Sequence, residues 1–485
     1  MSTPLDWLRR GDPTRDTLIA HDGARSAARA ADAIEQAAAA LREARIRVLA
    51  TRVDNGPDWA IADLAVWSAG VVHVPLPAFF TPDQCAHVLD AAGVDAVASE
   101  ADGAPWPGTG LRLQRRTASP VPMPPGTVKV SFTSGSTGRP RGACLSADAL
   151  ARVAEGVAAA LAPIGVARHL AALPLPVLLE NVAGLYAPLA AGAAVVLPPL
   201  AEVGLHGSSR FDPMRLQAAV ERWRADSAIV LPQMLRAWAA ARAASGPRSA
   251  PAPRFVAVGG AAVGAATLAA ARATGLPAFE GYGLTECGSV QTLNLPGADR
   301  PGSAGRPLPH ARITVAADGE VRVSGTPMLG YLGDAPGAMS AEWPTGDLGH
   351  LDADGFLHLS GRRRNLLITA FGRNVSPEWV ETALQSQPAI GSAVVLGDGR
   401  PVLSAVVWPS RPGLPPAAVQ HAIDAANAAL PDYARIGPWV LASAPLGAAS
   451  GTATPNGRPL RDAIESLHRA ALAAAYRRSS DDVLP

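Results

Sequence analysis

The sequence predicts an α/β protein: a large, multi-layered amino-terminal domain of α/β sheets with a small β-rich module, then a small, mobile α+β carboxyl-terminal domain. Three observations predict it. From Asp32 to about Glu100, helical stretches alternate with short β-branched runs, which is the rhythm of parallel α/β units. Pro301 to Tyr331 carries two β-runs around the turn residues Ala317, Asp318 and Gly319. Beyond Gly361 a fresh strand and helix pattern runs for about 120 residues, enough for a separate unit.

Taken in order, Ala33 to Arg45, Asp58 to Ala69 and Pro82 to Ala92 read as helices, and Val71 to Val74 and Ala96 to Ala98 as strands. The Pro- and Gly-rich stretch Gly103 to Gly126 reads as a surface connection to the β-run Val128 to Thr133. A helix is expected to begin near Ser146. Ala228 to Leu231 and Phe255 to Val258 read as strands, separated by a break at Gly246 to Pro253. Ala311 to Val315 and Glu320 to Val323 supply the β-rich module, and Asp462 to Arg478 a last helix. Two domains are expected, 1–361 and a lid at 362–485.

Composition narrows the function. The net charge is +1, from 42 basic and 41 acidic residues, so no overall field draws the chain to nucleic acid or to an anionic membrane. The longest apolar run, Val182 to Leu197, is broken by Pro188 and is shorter than the roughly 20 residues that span a bilayer. It reads as a buried helix and strand. Asp6, Arg9, Arg10 and Asp12 occupy the start of the chain, where an export signal needs apolar residues, so a cytoplasmic location is expected. Cys85, Cys144 and Cys287 are too scattered for a disulfide framework or a zinc site. One lysine, Lys129, stands beside forty-one arginines.

The strongest local motif follows the run Val128 to Thr133: Thr133, Ser134, Gly135, Ser136, Thr137 and Gly138, then Arg141. Glycines let backbone N–H groups approach an anion, and Ser and Thr hydroxyls add donors, which suits nucleotide phosphates. A plain flexible turn has the same composition. No Gly-Lys-Ser/Thr closes the loop, so it is not a Walker A motif, and no Gly-x-Ser-x-Gly elbow surrounds Ser134 or Ser136, which argues against a hydrolase.

Further motifs follow in order: Gly281 to Glu286 (GYGLTE), Thr345 to Asp347 leading to Gly361 and Arg362, Gly372 to Glu378 (GRNVSPE), and Pro455 to Arg458 (PNGR). Together with the first loop they resemble the adenylate-forming (ANL) superfamily of acyl-CoA synthetases, nonribosomal peptide adenylation domains and firefly luciferase. The resemblance spans nearly the whole chain. It implies ATP and Mg²⁺ as cofactors, activation of a small carboxylic acid as acyl-AMP, and transfer to the pantetheine thiol of CoA or of a carrier protein.

The resemblance also implies roles. Thr133 to Gly138 and Arg141 would bind the ATP phosphates. Gly259, Gly260 and Ala261 would form a glycine-rich wall at adenine, on which Tyr282 stacks. Asp347 and Arg362 would hold the ribose. Thr285 would contact the α-phosphate and Glu286 would bind Mg²⁺, which takes oxygen ligands and commonly one carboxylate plus phosphates. Arg364 would be the hinge, Gly372, Arg373 and Asn374 would line a thiol tunnel, and Arg458 would bridge the acid carboxylate and the α-phosphate.

Two positions depart from the pattern, since Arg141 and Arg458 stand where the family carries lysine. The exchange at Arg458 is not conservative, because a forked guanidinium replaces a point charge. Either the site has readjusted within a lysine-poor chain, or adenylation has weakened. Leu173 to Tyr186 stands at the place of the acid pocket and lacks the Phe-Asp pair of amino acid-activating relatives. Val177, Leu178, Val182 and Leu185 suit a fatty or aromatic acid, or ordinary core packing. Glu180 and Asn181 read more readily as a helix cap than as substrate ligands. The sequence leaves three alternatives: a CoA ligase, a ligase loading a carrier protein, or a non-catalytic nucleotide-binding protein.

Overall fold

A computed structural model describes residues 3–133, 141–207, 210–244, 253–334, 341–371, 373–454 and 459–481. Helices begin where the sequence offers caps. The Ser26 hydroxyl accepts from Arg29 N, so the first long helix spans Ala27–Glu43 and starts earlier than its apolar pattern suggests. Thr81 and Gln84 form a reciprocal capping box for Pro82–Ala91, and Ser146 caps Ala147–Leu161. Gly56 and Pro57 open Pro57–Ala69, and Gly70, in the left-handed conformation, ends it.

Two large sheets form the amino-terminal part. One runs, in spatial order, Arg306–Pro307, Ser289–Leu293, Ala278–Leu284, Phe255–Val258, Ser227–Val230, Arg168–Leu170, Ala194–Val196, Asp16–Ala20 and Gly23–Ser26. From Ala278–Leu284 to Asp16–Ala20 its strands are parallel. The other sheet centres on Thr127–Thr133, Val72–Pro75, Val48–Thr51 and Ala96–Ser99, also parallel. Pro57–Ala69 touches strands of both sheets and is buried on nearly every side, as a helix between two layers must be. Its Asp63 is therefore buried in the interior.

A four-stranded antiparallel sheet holds Arg312–Val315, Glu320–Ser324, Glu342–Leu351 and Leu357–Arg362, and is the expected β-rich module. Beyond it, Ile390–Leu396, Leu403–Pro409 and Ile436–Leu441 pair as a three-stranded sheet. Helices Pro377–Gln385 and Pro416–Ala428 close over a separate apolar core that includes Val380, Leu384, Val407 and Ile423. The expected α/β architecture with a smaller α+β part is observed.

Three expectations need correction. Gly103 to Gly126 is more than a surface connection, because Ala104–Pro105 and Arg112–Arg115 extend a sheet edge and Trp106 is buried, its indole N–H bonded to Ala37 O at 3.0 Å. The sequence reads Gly281 to Glu286 as a glycine-loosened turn, but its glycines lie in a strand, Ala278–Leu284, and the turn comes only at Thr285–Cys287. Glu180 and Asn181 cap no helix; they lie inside a π-helix, Glu180–Tyr186, fully buried. Val182 and Leu185 there belong to the main core. Among the described residues no helix is long and apolar enough to cross a membrane.

Candidate active site

The site is built where the nine-stranded sheet meets the β-rich module. Antiparallel pairing sets Gly281 against Leu293 and Tyr282 against Thr292. A side chain at Gly283 would put its Cβ 2.1 Å from Ser289 O, so only glycine lets the strands approach there. In the module, register places Asp347 opposite Arg362. Their charges meet, with Arg362 Nε 2.9 Å from Asp347 Oδ1. The Tyr282 hydroxyl donates to Asp347 Oδ2 at 2.7 Å. Burial, reinforced by the Asp347 charge, raises the Tyr282 pKa well above the usual phenol range, so the hydroxyl remains a donor. Three residues assigned by resemblance to adenine and ribose thus form one contiguous group.

A second group gathers at Glu286. Strand Gly330–Tyr331 pairs with Arg141–Ser146, bringing Tyr331 beside Ala143. The Tyr331 hydroxyl donates to Glu286 Oε1 at 2.7 Å, and the Arg141 guanidinium lies over the Tyr331 ring at 3.8 Å. Met328 N donates to Glu286 O at 2.7 Å, which fixes the backbone of the short turn. Tyr331 therefore joins the expected phosphate-binding arginine to the expected metal ligand. A carboxylate oxygen that is half-buried and hydrogen-bonded on one side fits a hard cation needing oxygen donors.

Gly259, Gly260 and Ala261 follow the strand Phe255–Val258, and Gly260 has φ +88°. A Cβ placed at Gly259 would meet Leu179 Cδ2 at 3.5 Å and Gly281 O at 3.8 Å, so this turn faces the motif strand. Behind it, Glu280 Oε1 accepts Val263 N at 3.0 Å, while Oε2 is buried without a hydrogen-bond partner among the described residues. Burial raises the Glu280 pKa to about 7, against the single backbone donor that lowers it.

That shift has a sign. The folded chain keeps the Glu280 proton between the ordinary 4.5 and about 7, whereas the unfolded chain releases it. The contribution to stability is therefore full below about pH 4.5 and is lost as pH rises toward 7, by up to about 3 kcal/mol. Glu280→Gln is expected to flatten the fall in thermal midpoint between about pH 5 and about pH 8. Parallel curves for the two proteins would exclude Glu280 as the titrating group.

The remaining expected residues are distributed as follows. Thr285 opens the turn Thr285–Cys287 next to Glu286. Arg364 lies exposed in the turn Arg363–Asn365, between Leu357–Arg362 and Leu367–Ile368. Arg373 and Asn374 stand apart, at the start of a two-stranded ladder in which Leu367–Ile368 pairs with Asn374–Val375. Ser134, Gly135, Ser136, Thr137, Gly138, Gly372 and Arg458 lie outside the described residues, and Thr133 is described by its backbone alone. Tyr331 and Glu280 were not singled out by sequence reasoning. Tyr331 becomes a site residue only through pairing between strands almost two hundred residues apart, and Glu280 carries no motif of its own.

The AMP-binding enzyme family matches residues 6–332, and the AMP-binding enzyme C-terminal domain matches 364–480. The long-chain-fatty-acid–CoA ligase FadD15 of Mycobacterium bovis is 37% identical over 154 residues, 31% of this chain and 26% of that protein. Indoleacetate–CoA ligase of Aromatoleum aromaticum is 29% identical over 318 residues, 59% of this chain and 58% of that protein. The chain thus spans less than two thirds of the length of these curated relatives. The structure of o-succinylbenzoate CoA synthetase from Bacillus subtilis, solved with its acyl-adenylate intermediate, shares the fold with a TM-score of 0.75 and 23% identity, covering 95% of this chain and 97% of that one. With both the large and the small part matched, this chain belongs to the AMP-binding enzyme family.

Proposed function

We propose that the chain is an AMP-forming acid–thiol ligase, which activates a fatty or aromatic carboxylic acid with ATP and passes the acyl group to the thiol of CoA. The observation that carries this reading is the Tyr282, Asp347 and Arg362 group beside Glu286, Tyr331 and Arg141. One group suits a nucleoside and the other a polyphosphate with its cation. Domains 1–361 and 362–485, hinged at Arg364, complete the proposal.

In the first step a carboxylate oxygen attacks the α-phosphorus, and the bond to the pyrophosphate oxygen breaks. Asp347 accepts both ribose hydroxyls and fixes the sugar, Tyr282 covers adenine, and Gly259 to Ala261 let the base approach the backbone. Arg141 and the loop Thr133 to Gly138 hold the phosphates, Thr285 donates to the α-phosphate, and Arg458 bridges it to the acid. Glu286 would hold Mg²⁺, which supplies charge neutralisation at the phosphate oxygens. In the second step the thiol sulfur bonds to the acyl carbon, AMP leaves and the thiol proton is released. Gly372, Arg373 and Asn374 line the thiol's approach after rotation about Arg364.

The acid class rests on the apolar segment at Val177 and Leu178, and the named relatives act on both fatty and aryl acids. The test is a panel of such acids in ATP–pyrophosphate exchange, followed by competition between CoA and a phosphopantetheinylated carrier protein. Acyl-CoA formation is expected. Acyl transfer to the carrier alone would replace the CoA reading with the carrier-loading one.

A further inference from the structure

The single lysine of the chain is buried, and its surroundings explain why it is not an arginine. Lys129 Nζ lies 2.7 Å from Asp63 Oδ1 and 2.7 Å from the Tyr186 hydroxyl, and it also donates to Asn181 Oδ1. Three N–H bonds meet three acceptors. Asp63 is shared further: its Oδ2 accepts Asn181 Nδ2 at 2.9 Å and the Tyr186 hydroxyl at 2.5 Å, and its Oδ1 meets His73 Nδ1 at 2.5 Å. Burial alone would raise the Asp63 pKa, but the Lys129 and His73 charges outweigh it and hold the carboxyl well below its usual range. A planar guanidinium with five donors cannot occupy a pocket shaped for one compact ammonium.

Two of these partners lie on the π-helix Glu180–Tyr186. An α-helix turns about 100° per residue, so positions five apart, such as Asn181 and Tyr186, would point roughly 140° away from each other. A π-turn closes i→i+5 bonds and brings such positions back over one another. The wider turn is what lets both side chains reach Lys129.

The opposite side of the same segment is held to the other sheet. Glu180 Oε1 meets His169 Nε2 at 2.9 Å, His169 Nδ1 meets Ser227 Oγ at 2.9 Å, and Glu180 Oε2 accepts Leu173 N at 3.0 Å. A Cβ at Gly184 would fall 2.0 Å from Glu180 Oε1, so this glycine makes room for the carboxylate. The π-segment therefore sits between Lys129 and His73 of the eight-stranded sheet and His169 and Ser227 of the nine-stranded one. Leu179, the residue just before it, packs toward Gly259 in the candidate site.

We propose that Lys129 is a positioning residue that determines acid specificity, by locking Asn181 and Tyr186 in π-register and so setting where Val177, Leu178 and Leu179 line the acid pocket. The inference rests on the ligase reading above. It predicts that removing one acceptor changes the choice of acid while leaving nucleotide binding intact.

The test compares wild type with Tyr186→Phe and Lys129→Arg. The ratio of kcat/KM between a long-chain and an aryl acid should shift by about tenfold or more, while the KM for ATP stays within about twofold. Amide hydrogen exchange across 178–186 should quicken in Tyr186→Phe, without a matching change at 255–263. Folded variants with a lowered thermal midpoint but wild-type acid ratios would overturn the proposal, leaving a purely structural seam. If wild type activates no acid, the ligase reading fails separately, and unchanged exchange at 178–186 would then refute the locking role by itself. Should Lys129→Arg not fold, Tyr186→Phe, which keeps the ion pair, decides the matter.

Discussion

Asp347→Ala is expected to lower kcat/KM for ATP by about a hundredfold or more, chiefly through a raised KM, while leaving the protein folded. The carboxylate is buried and holds the Tyr282 hydroxyl at 2.7 Å and Arg362 Nε at 2.9 Å. Its loss would remove the two charge-assisted bonds proposed to hold the ribose and free the ring proposed to cover adenine. Bonds of that kind are each worth roughly 1.5–3 kcal/mol. Asp347→Asn keeps the shape and loses the charge, so it should lie between the two. Steady-state kinetics with ATP and with 2′-deoxy-ATP check the assignment. Equal discrimination between the two nucleotides in wild type and Asp347→Ala would remove Asp347 from the ribose site.

Glu286→Gln carries the other large effect, a fall in kcat of about a hundredfold or more together with a higher Mg²⁺ requirement. The amide keeps a carbonyl oxygen for the Tyr331 hydroxyl, which donates to Glu286 at 2.7 Å, so the local fold survives. What it loses is the anionic oxygen a hard cation needs. Titrating Mg²⁺ at saturating ATP separates the two roles. An unchanged half-saturation concentration would mean that Glu286 serves only to anchor Tyr331, and Tyr331→Phe would then be as damaging as Glu286→Gln.

Much of this site is legible in the sequence because its motifs are local. Gly56, Pro57 and Gly70 bracket a helix through backbone preferences that act over one or two residues. Phe255 to Val258 reads as a strand from its β-branched and aromatic content, and it is observed with the same bounds. The pairing of Asp347 with Arg362 is less local, yet both residues belong to recognisable motifs. Tyr331 does not: its role arises from a two-residue strand that joins the sheet at Ala143 and Cys144. Register between distant strands leaves no mark on either segment alone.

Lys129 shows the same limit from the other side. Its isolation among forty-one arginines is visible in the sequence, and a general drift toward arginine explains the forty-one. It does not explain the one. Only the fold brings Asp63, Asn181 and Tyr186 around it, from positions between fifty and seventy residues away. The π-register was likewise illegible, since Glu180 to Tyr186 has the apolar content of an ordinary buried helix and its wider turn follows from tertiary partners. Trp106 was hidden by the Pro- and Gly-rich text around it, although its burial needs only one side chain turned inward.

Lysine replacement bears on the proposed adenylation, because Arg141 keeps a place beside Tyr331 whereas Arg458 lies outside the described residues. A compact ammonium is retained at Lys129, where three acceptors demand it. In its proposed role, an arginine at 458 would face a carboxylate and a phosphate, acceptors suited to its fork. Adenylation is therefore expected to proceed with arginine at this position. The measurement that tests this most directly is acid-dependent exchange of labelled pyrophosphate into ATP by the unmodified chain, across fatty and aryl acids, with Arg458→Lys alongside. Exchange by both proteins with the same acid is the predicted result. An inert wild type that still binds ATP would contradict it, whether or not the lysine variant recovers activity.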